Sequence, residues 1–486
     1  MSVEQARIDF PQITEDGFNA IILIIPWRGL QIEQFPPRYE THYFKLLRGL
    51  LKEARRAGLW VILRVSYSHH ICDEASLISK HLTANFLTDA SYQQPWLHHL
   101  RKLRRHTRFA SNLYGSFLCW EEFWHGLMRF CEEPEARRRE LAVSTGYADF
   151  MDTPSSIIPG FDEPEFASYH AFINAKLRQI YELGQEVLPT LGYEFRVDKD
   201  PLQHPDGSVS WLENDNYIDT EGLRYSYWAP FIGATNQGEK LDATQALNLL
   251  DYNLREQTKD GSNTRLIIDQ FNFVDDTFKY TGSNARLAES EIEPFLQACA
   301  ELLPRYCKGY GIWAWRDYFQ NHLFNPGFQL GLRGWELHVA HSIGRRLGRK
   351  GLCLNAGDAI AQSFPSAAHG MHKKYKTSHL LLRVEIASSK NLVMEASLNQ
   401  EHYFPLVWDG QVACYCANLP IDDPVYGKRG VLFSLRVVAG TVTVSTANLF
   451  QYHYQVGIRA TDGRPGPFLG PLRQLNRDLS LSSTEL

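Results

Sequence analysis

The chain has 486 residues, 44% of them hydrophobic, and a formal net charge of −5. This length supports one large core and a smaller second one, and the mild acidity argues against a nucleic-acid binder, which carries a basic stripe. The polar opening "MSVEQARIDF" is no secretion signal, and the longest apolar run, in "FNAIILIIPW", is too short for a membrane span.

The predicted elements alternate from the start. A helix over "SVEQARIDFPQITEDG" leads to an apolar strand in "FNAIILIIPW" (18–27), then a helix in "YFKLLRGLLKEARRAG" (43–58) and a strand in "LWVILRVSY" (59–67). After a long connection come "YGSFLCWEE" (114–122), a helix from 169 to 192, and "YEFRVDKD" (193–200). "RYSYWAPF" (224–231), a helix through 243–258, "RLIIDQF" (265–271), a helix over 290–306 and "GYGIWAWRDY" (309–318) complete the series. Apolar strands alternating with amphipathic helices predict parallel strands joined by crossover helices. The basic runs "LRKLRRHTR" (100–108) and "EARRREL" (135–141) read as solvated helix faces.

Seven such strands are one short of a (β/α)8 barrel. An open doubly wound sheet is the alternative, but no glycine-rich phosphate turn follows an early strand. The expectation is therefore an α/β chain with a TIM-type barrel lacking its first strand. A chain shortened at its start would explain the loss and would also have removed any signal for export; no compartment is assigned.

Past residue 323 the texture changes to alternating strands, "HLLLRVEIAS", "LVMEASLN", "GVLFSLRVVAGTVTVST" and "YQVGIRAT", separated by turn residues. This predicts an antiparallel β-sandwich. The expected boundaries are a barrel over 1–322, a sandwich over 323–461 and a Pro/Gly-rich surface tail over 462–486. The short linker at 319–327 predicts that the sandwich packs against the barrel. The eight cysteines are scattered and "CYC" (414–416) lacks zinc-ligand spacing, so neither a disulfide framework nor a metal site is predicted.

In such a barrel the chemistry lies at the carboxyl ends of the strands. Those ends carry Trp27 and Arg28; Tyr67, His69 and His70; Trp120, Glu121, Glu122 and Trp124; Asp198 and Asp200; Tyr227 and Trp228; Asp269, Gln270 and Asn272; and Trp313, Trp315, Arg316 and Asp317. Flat aromatic faces mixed with carboxylates, amides and guanidinium groups suit sugars, whose rings stack and whose hydroxyls need polar partners. Adjacent histidines point apart on extended chain, so His69 and His70 read as substrate or solvent contacts rather than metal ligands.

At these residues the chain resembles the retaining (β/α)8 glycoside hydrolases of the cellulase type, family 5 and its clan A relatives. "DGFNAIILIIPW" (16–27) is similar to their second strand, and "AGLWVILRVSYSHH" (57–70) to their third. "NPGFQLGLRGWEL" resembles the opening of attached carbohydrate-binding sandwiches. The resemblance implies that "CWEE" stands where that family has Trp-Asn-Glu. Glu122 then takes the acid/base position, or Glu121 after a one-residue change of register. It also implies that Gln270 stands at the nucleophile position, where an amide cannot attack an anomeric carbon. Three explanations are open: a deliberate Glu-to-Gln change, a natural sugar-binding pseudo-enzyme, or another carboxylate such as Asp198 or Asp317 in the role. Alternation along the strand would turn Asp269 away from Gln270, towards the helices.

The implied function is a glycoside hydrolase acting on a β-linked polysaccharide or oligosaccharide, inactive if Gln270 leaves the nucleophile position empty. The alternative is a non-catalytic polysaccharide-binding or scaffold protein using the same cleft. Trp313 and Trp315 are candidates for the sugar platform, with Trp27, Trp120 and Trp228 lining the cleft. Arg28, His69, His70 and Tyr227 would bind hydroxyls or orient carboxylates. No cofactor is implied, and neither nucleic acid nor a membrane span is expected.

Overall fold

The computed structural model describes residues 2–482. Outside the description fall 26–30, 34–37, 40, 66–88, 120–126, 128, 162, 196–198, 204–208, 214–221, 231–238, 259–265, 274–284, 317, 329–330, 341–346, 349, 365–378, 401, 411–412, 421–430, 455–457 and 461–462. Seven strands form one parallel sheet in chain order: β1 (Ala20–Ile25), β2 (Trp60–Val65), β3 (Leu113–Leu118), β4 (Leu191–Phe195), β5 (Arg224–Trp228), β6 (Leu266–Phe271) and β7 (Gly309–Tyr310). Around them lie α1 (Val3–Glu15), α2 (Thr41–Arg56), α3 (Ala90–Thr107), α4 (Glu135–Thr145), α5 (Phe166–Val187), α6 (Ala243–Thr258) and α7 (Ile292–Tyr306).

Local sequence accounts for these elements. In α2 the buried residues Phe44, Leu47, Leu51 and Ala54 recur at helical spacing and form one apolar stripe. Gly58, at φ +75°, then turns the chain in the left-handed conformation that a side chain would resist. The strands alternate. Val61, Leu63 and Val65 of β2 enter the core beneath the helices, whereas Ile62 joins Phe117, Tyr225 and Ile267 in a separate inner cluster. Two clusters on opposite faces of one sheet are what a barrel requires.

The sheet curls far enough for its two ends to meet. A Cβ on Gly311, just past β7, would lie 3.0 Å from Ile22 Cδ1 on the inner face of β1. The inner floor is tight as well: a Cβ on Gly192 would lie 2.3 Å from the Leu223 carbonyl oxygen and 2.7 Å from the Tyr225 ring. Among the described residues the architecture is thus a TIM-type barrel of seven parallel strands.

A ten-stranded antiparallel sheet follows, the expected sandwich. It contains β8 (Tyr318–Asn321), β9 (Glu336–His338), β10 (Gly351–Asn355), β11 (Ala359–Phe364), β12 (His379–Leu398), β13 (Cys414–Pro420) and β14 (Val431–Tyr454). The long strands β12 and β14 pair through several register shifts, including one between Lys390 and Val393. Such bulges bend paired strands, here around a core of Leu354, Ile360, Leu382, Val384, Phe433, Leu435 and Val444.

The tail differs from the expectation. Residues 462–486 do not simply run over a surface: Leu469–Ser482 form helix α8, whose Leu469, Leu472 and Leu475 belong to the barrel core and which packs against α7. Each fully buried leucine contributes about 1.5–3 kcal/mol, ample reason for the chain to return. The sandwich is therefore inserted between β7 and α8. Its entry strand β8 lies antiparallel to the end of β14, with Asn321 opposite Phe450, so entry and exit run side by side.

Asp16, fully buried just before β1, ties this return to the barrel. Its carboxylate accepts from Arg459 Nε and Nη2 at 2.7 Å, from Arg473 Nη2 at 2.7 Å and from Trp315 Nε1 at 2.8 Å. Asn476 Nδ2 donates to its backbone oxygen at 3.0 Å. Burial raises the Asp16 carboxyl, but the bonds from Arg459, Trp315 and Arg473 outweigh it and hold the group below its usual range.

Candidate active site

The carboxyl end of the barrel interior is polar, in contrast to the apolar layer beneath it. On β4, Tyr193 and Phe195 enter the core under the helices, so Glu194 between them faces inward, fully buried. On β2, Leu63 and Val65 do the same for Arg64, which is also buried. Arg64 Nη2 donates to Cys119 Sγ at 2.6 Å, at the end of β3, and its guanidinium lies 5.6 Å from the centroid of the Trp313 ring. A cation held over an indole away from water is a favourable contact.

Strand β6 contains the decisive irregularity. Its pairing with β5 shifts register between Ile268 and Gln270. Ile268 and Phe271 both enter the core under the helices, so Asp269 and Gln270 between them share the inner side, as a bulge allows. This corrects the expectation that Asp269 turns towards the helices: strict alternation fails where one extra residue is inserted. Gln270 Nε2 donates to Glu194 Oε1 at 3.4 Å, and both side chains are buried.

The layer beneath is built of rings. Tyr225 stacks on Phe117 with centroids 4.4 Å apart. Burial pushes the Tyr225 phenol well above its usual value, and the Asp269 charge adds to the shift. On the helix side of β4, burial likewise raises Tyr193, with Glu194 contributing. Both phenols stay neutral at ordinary pH and serve as packing rather than as acids.

The predicted site residues divide into three groups. Gln270 and Trp313 stand at the inner carboxyl-end layer, and Tyr227 pairs with Gln270 across the bulge. Trp27, Arg28, His69, His70, Trp120, Glu121 and Glu122 lie outside the described residues, as do Asp198 and Asp317.

Two residues are corrected. Trp228 does not line the cleft: its ring stacks on Phe295 of α7 at 5.4 Å and meets Phe271, because alternation from Tyr225 places it on the outer face. Trp315 is no second platform. It donates to Asp16 and lies beneath the guanidinium groups of Arg316 and Arg459. Strand β7 ends at Tyr310, so same-face spacing does not extend to 313 and 315.

Glu194, Arg64 and Cys119 stand in the same layer, and the sequence alone does not single them out. A charged residue between two aromatics, as in "YEF", was the available signal for Glu194.

Among the described residues one group brings metal-binding atoms together: Asp409, Cys414 and Cys416 of the sandwich, within 4.8 Å. Burial pushes the Cys414 thiol up to about 12, with Arg383 as a nearby cation. The group belongs to the sandwich and lies far in sequence from the barrel layer.

No family model and no curated protein matches the chain. Among solved structures it is similar to the exo-β-1,4-mannosidase Op5Man5 from Opitutaceae bacterium strain TAV5, at 14% identity and a TM-score of 0.38, covering 65% of this chain and 48% of that one. The chain thus spans about half the length of that mannosidase. It is also similar to GH5_18 from Streptomyces cattleya in complex with GlcNAc, at 12% identity, 65% and 66% coverage, and a TM-score of 0.40. Endo-glycoceramidase II from Rhodococcus sp. matches at 9% identity over 88% of this chain and 92% of that one, with a TM-score of 0.37.

Proposed function

We propose that this protein binds and hydrolyses a β-linked oligosaccharide or polysaccharide in the cleft at the carboxyl end of the barrel. The supporting observation is the buried contact between Gln270 and Glu194, on the inner layer that also holds Arg64 and Trp313. Retaining hydrolysis uses two carboxyl groups about 5–5.5 Å apart, one attacking the anomeric carbon and one protonating the leaving oxygen. Gln270 cannot attack. Glu194, in contact with it, supplies the carboxylate, and Gln270 orients that carboxylate by donating to it. Glu122, or Glu121, is the acid/base, and Trp313 stacks on a sugar ring. Arg28, His69, His70, Trp27, Trp120 and Tyr227 bind the remaining hydroxyls and faces.

The test is hydrolysis of β-glucans, β-mannans and aryl β-glycosides by the parent protein and by Glu194→Gln and Glu122→Gln. Loss of turnover in Glu194→Gln with glycan affinity retained supports the assignment; full turnover in that variant refutes it. A second reading, a non-catalytic glycan binder, is favoured by the neutral amide at 270. Under it the parent binds these glycans in calorimetry and hydrolyses none.

A further inference from the structure

The amino-terminal end of the barrel, opposite the cleft, carries groups that the glycan chemistry does not use. Helices in this fold run antiparallel to the strands, so the last turns of α3 and α5 lie beside the amino ends of β3 and β4. There Arg101, Arg104, Arg105 and Arg108 recur at i, i+3, i+4 and i+7, which places them on one stripe of α3. All four are exposed, and with Glu186 and Val187 of α5 they border an open groove. Arg104 Nη1 donates to the Val187 carbonyl at 3.2 Å and joins the two helices. Among the described residues none of the four is ion-paired. Four cations around a single carboxylate depart from the balance of a chain whose net charge is −5.

Exposed rings lie at the same end of the barrel. Phe109, one residue past Arg108, is 80% exposed, and the Arg108 guanidinium lies 4.5 Å from its ring centroid. Trp60 and Tyr114, at the amino ends of β2 and β3, are 46% and 39% exposed and meet edge to face at 6.2 Å. Single exposed apolar residues are ordinary. Three exposed aromatic rings at the end that also carries the arginine stripe give that end both apolar and cationic groups.

We propose that this end of the barrel docks on an anionic lipid surface. The arginines meet headgroup phosphates and carboxylates, and Phe109, Trp60 and Tyr114 enter the boundary between headgroups and acyl chains, where amphipathic rings settle. Phe109 follows the stripe in the chain rather than standing between its arginines, and Trp60 and Tyr114 meet edge to face. That arrangement suits a planar interface better than the stacked bases of a nucleic-acid strand. Docked this way, the protein turns its cleft towards the aqueous phase and away from the bilayer.

The experiment is co-sedimentation of the full chain with phosphatidylcholine vesicles, with and without about one-third phosphatidylserine, at physiological ionic strength. Binding to the anionic vesicles alone is expected. Arg101→Gln with Arg105→Gln lowers the partition coefficient roughly 25-fold, about fivefold per arginine. Phe109→Ser lowers it independently, with the thermal midpoint and glycan affinity unchanged in both variants. Equal binding to both kinds of vesicle, no binding, or full binding by the double variant overturns the proposal. So does release by millimolar inorganic phosphate, which marks a free-anion site. Retention of single-stranded RNA through the same arginines without vesicle binding overturns it in favour of a nucleic-acid surface.

Discussion

Replacing Gln270 by glutamate places a second carboxyl group where an amide nitrogen now stands, 3.4 Å from Glu194 Oε1. Two unit charges at that separation repel by about 5 kcal/mol at an effective dielectric of ~20. Side-chain movement lowers the figure, and a proton held between the two carboxyls removes it. The pair in Gln270→Glu therefore retains one proton with an apparent pKa above the ordinary glutamate value of about 4.3. Between those two values the folded variant binds more protons than its unfolded chain, so its stability relative to the parent falls as pH rises. The deficit is absent below about pH 4, grows through neutrality and levels off once the pair is fully ionised. Thermal unfolding of parent and variant between about pH 4 and 9 reads this directly, with an expected deficit of up to about 3 kcal/mol at the alkaline end. Adding Glu194→Gln restores a single charge and should cancel the pH dependence, closing a double-mutant cycle. A deficit that is the same at every pH and indifferent to the second change would show that position 270 does not oppose Glu194.

Asp16→Asn leaves the guanidinium of Arg459 buried without its charge partner, which costs about 3–5 kcal/mol. The depressed pKa of Asp16 stabilises the fold above the unfolded value of about 3.9, and that contribution is lost as pH falls through the folded value. The variant should accordingly show a flatter acid limb in a stability–pH profile. Trp228→Ala should cost about 3–5 kcal/mol, through the cavity left against Phe295 and Phe271, while glycan affinity measured by calorimetry stays at the parent value. Deleting 469–482 uncovers the α7 face that Leu472 and Leu475 now bury; a lowered thermal midpoint is expected, and an unchanged one would show that α8 is dispensable.

Gly192→Ala tests the inner floor. Its Cβ would fall 2.3 Å from the Leu223 carbonyl oxygen, a backbone atom that cannot swing aside. Overpacking of this kind costs about 1–3 kcal/mol, read as a lower denaturant midpoint with an unchanged slope.

Much of the fold is legible in the sequence. Continuous apolar runs separated by amphipathic helices determine parallel strands buried on both faces, and period-two runs after residue 323 determine the antiparallel sheet, because each pattern is a local record of which faces meet water. The helical return was not read from the sequence: the prolines and glycines of its stretch suggest a loop, and only the structure shows Leu469, Leu472 and Leu475 on one buried helix.

The site was legible only in outline, because it depends on departures from period two. A bulge between Ile268 and Gln270 turns Asp269 inward, and nothing in "LIIDQF" marks it, since bulges are set by pairing with a neighbouring strand. Strand β4 ends at Phe195, and Glu194, the charged residue between its two aromatics, lies against Gln270. Trp228 and Trp315 share a composition with Trp313, but one stacks beneath α7 and the other binds Asp16. Sequence determines which side chains are present at the rim. Curling the sheet until β1 meets the segment after β7, and returning α8 to the barrel, decides which of them face one another. The bonds from Trp315 and Asn476 to Asp16 span 299 and 460 residues of chain and leave no periodic trace in it.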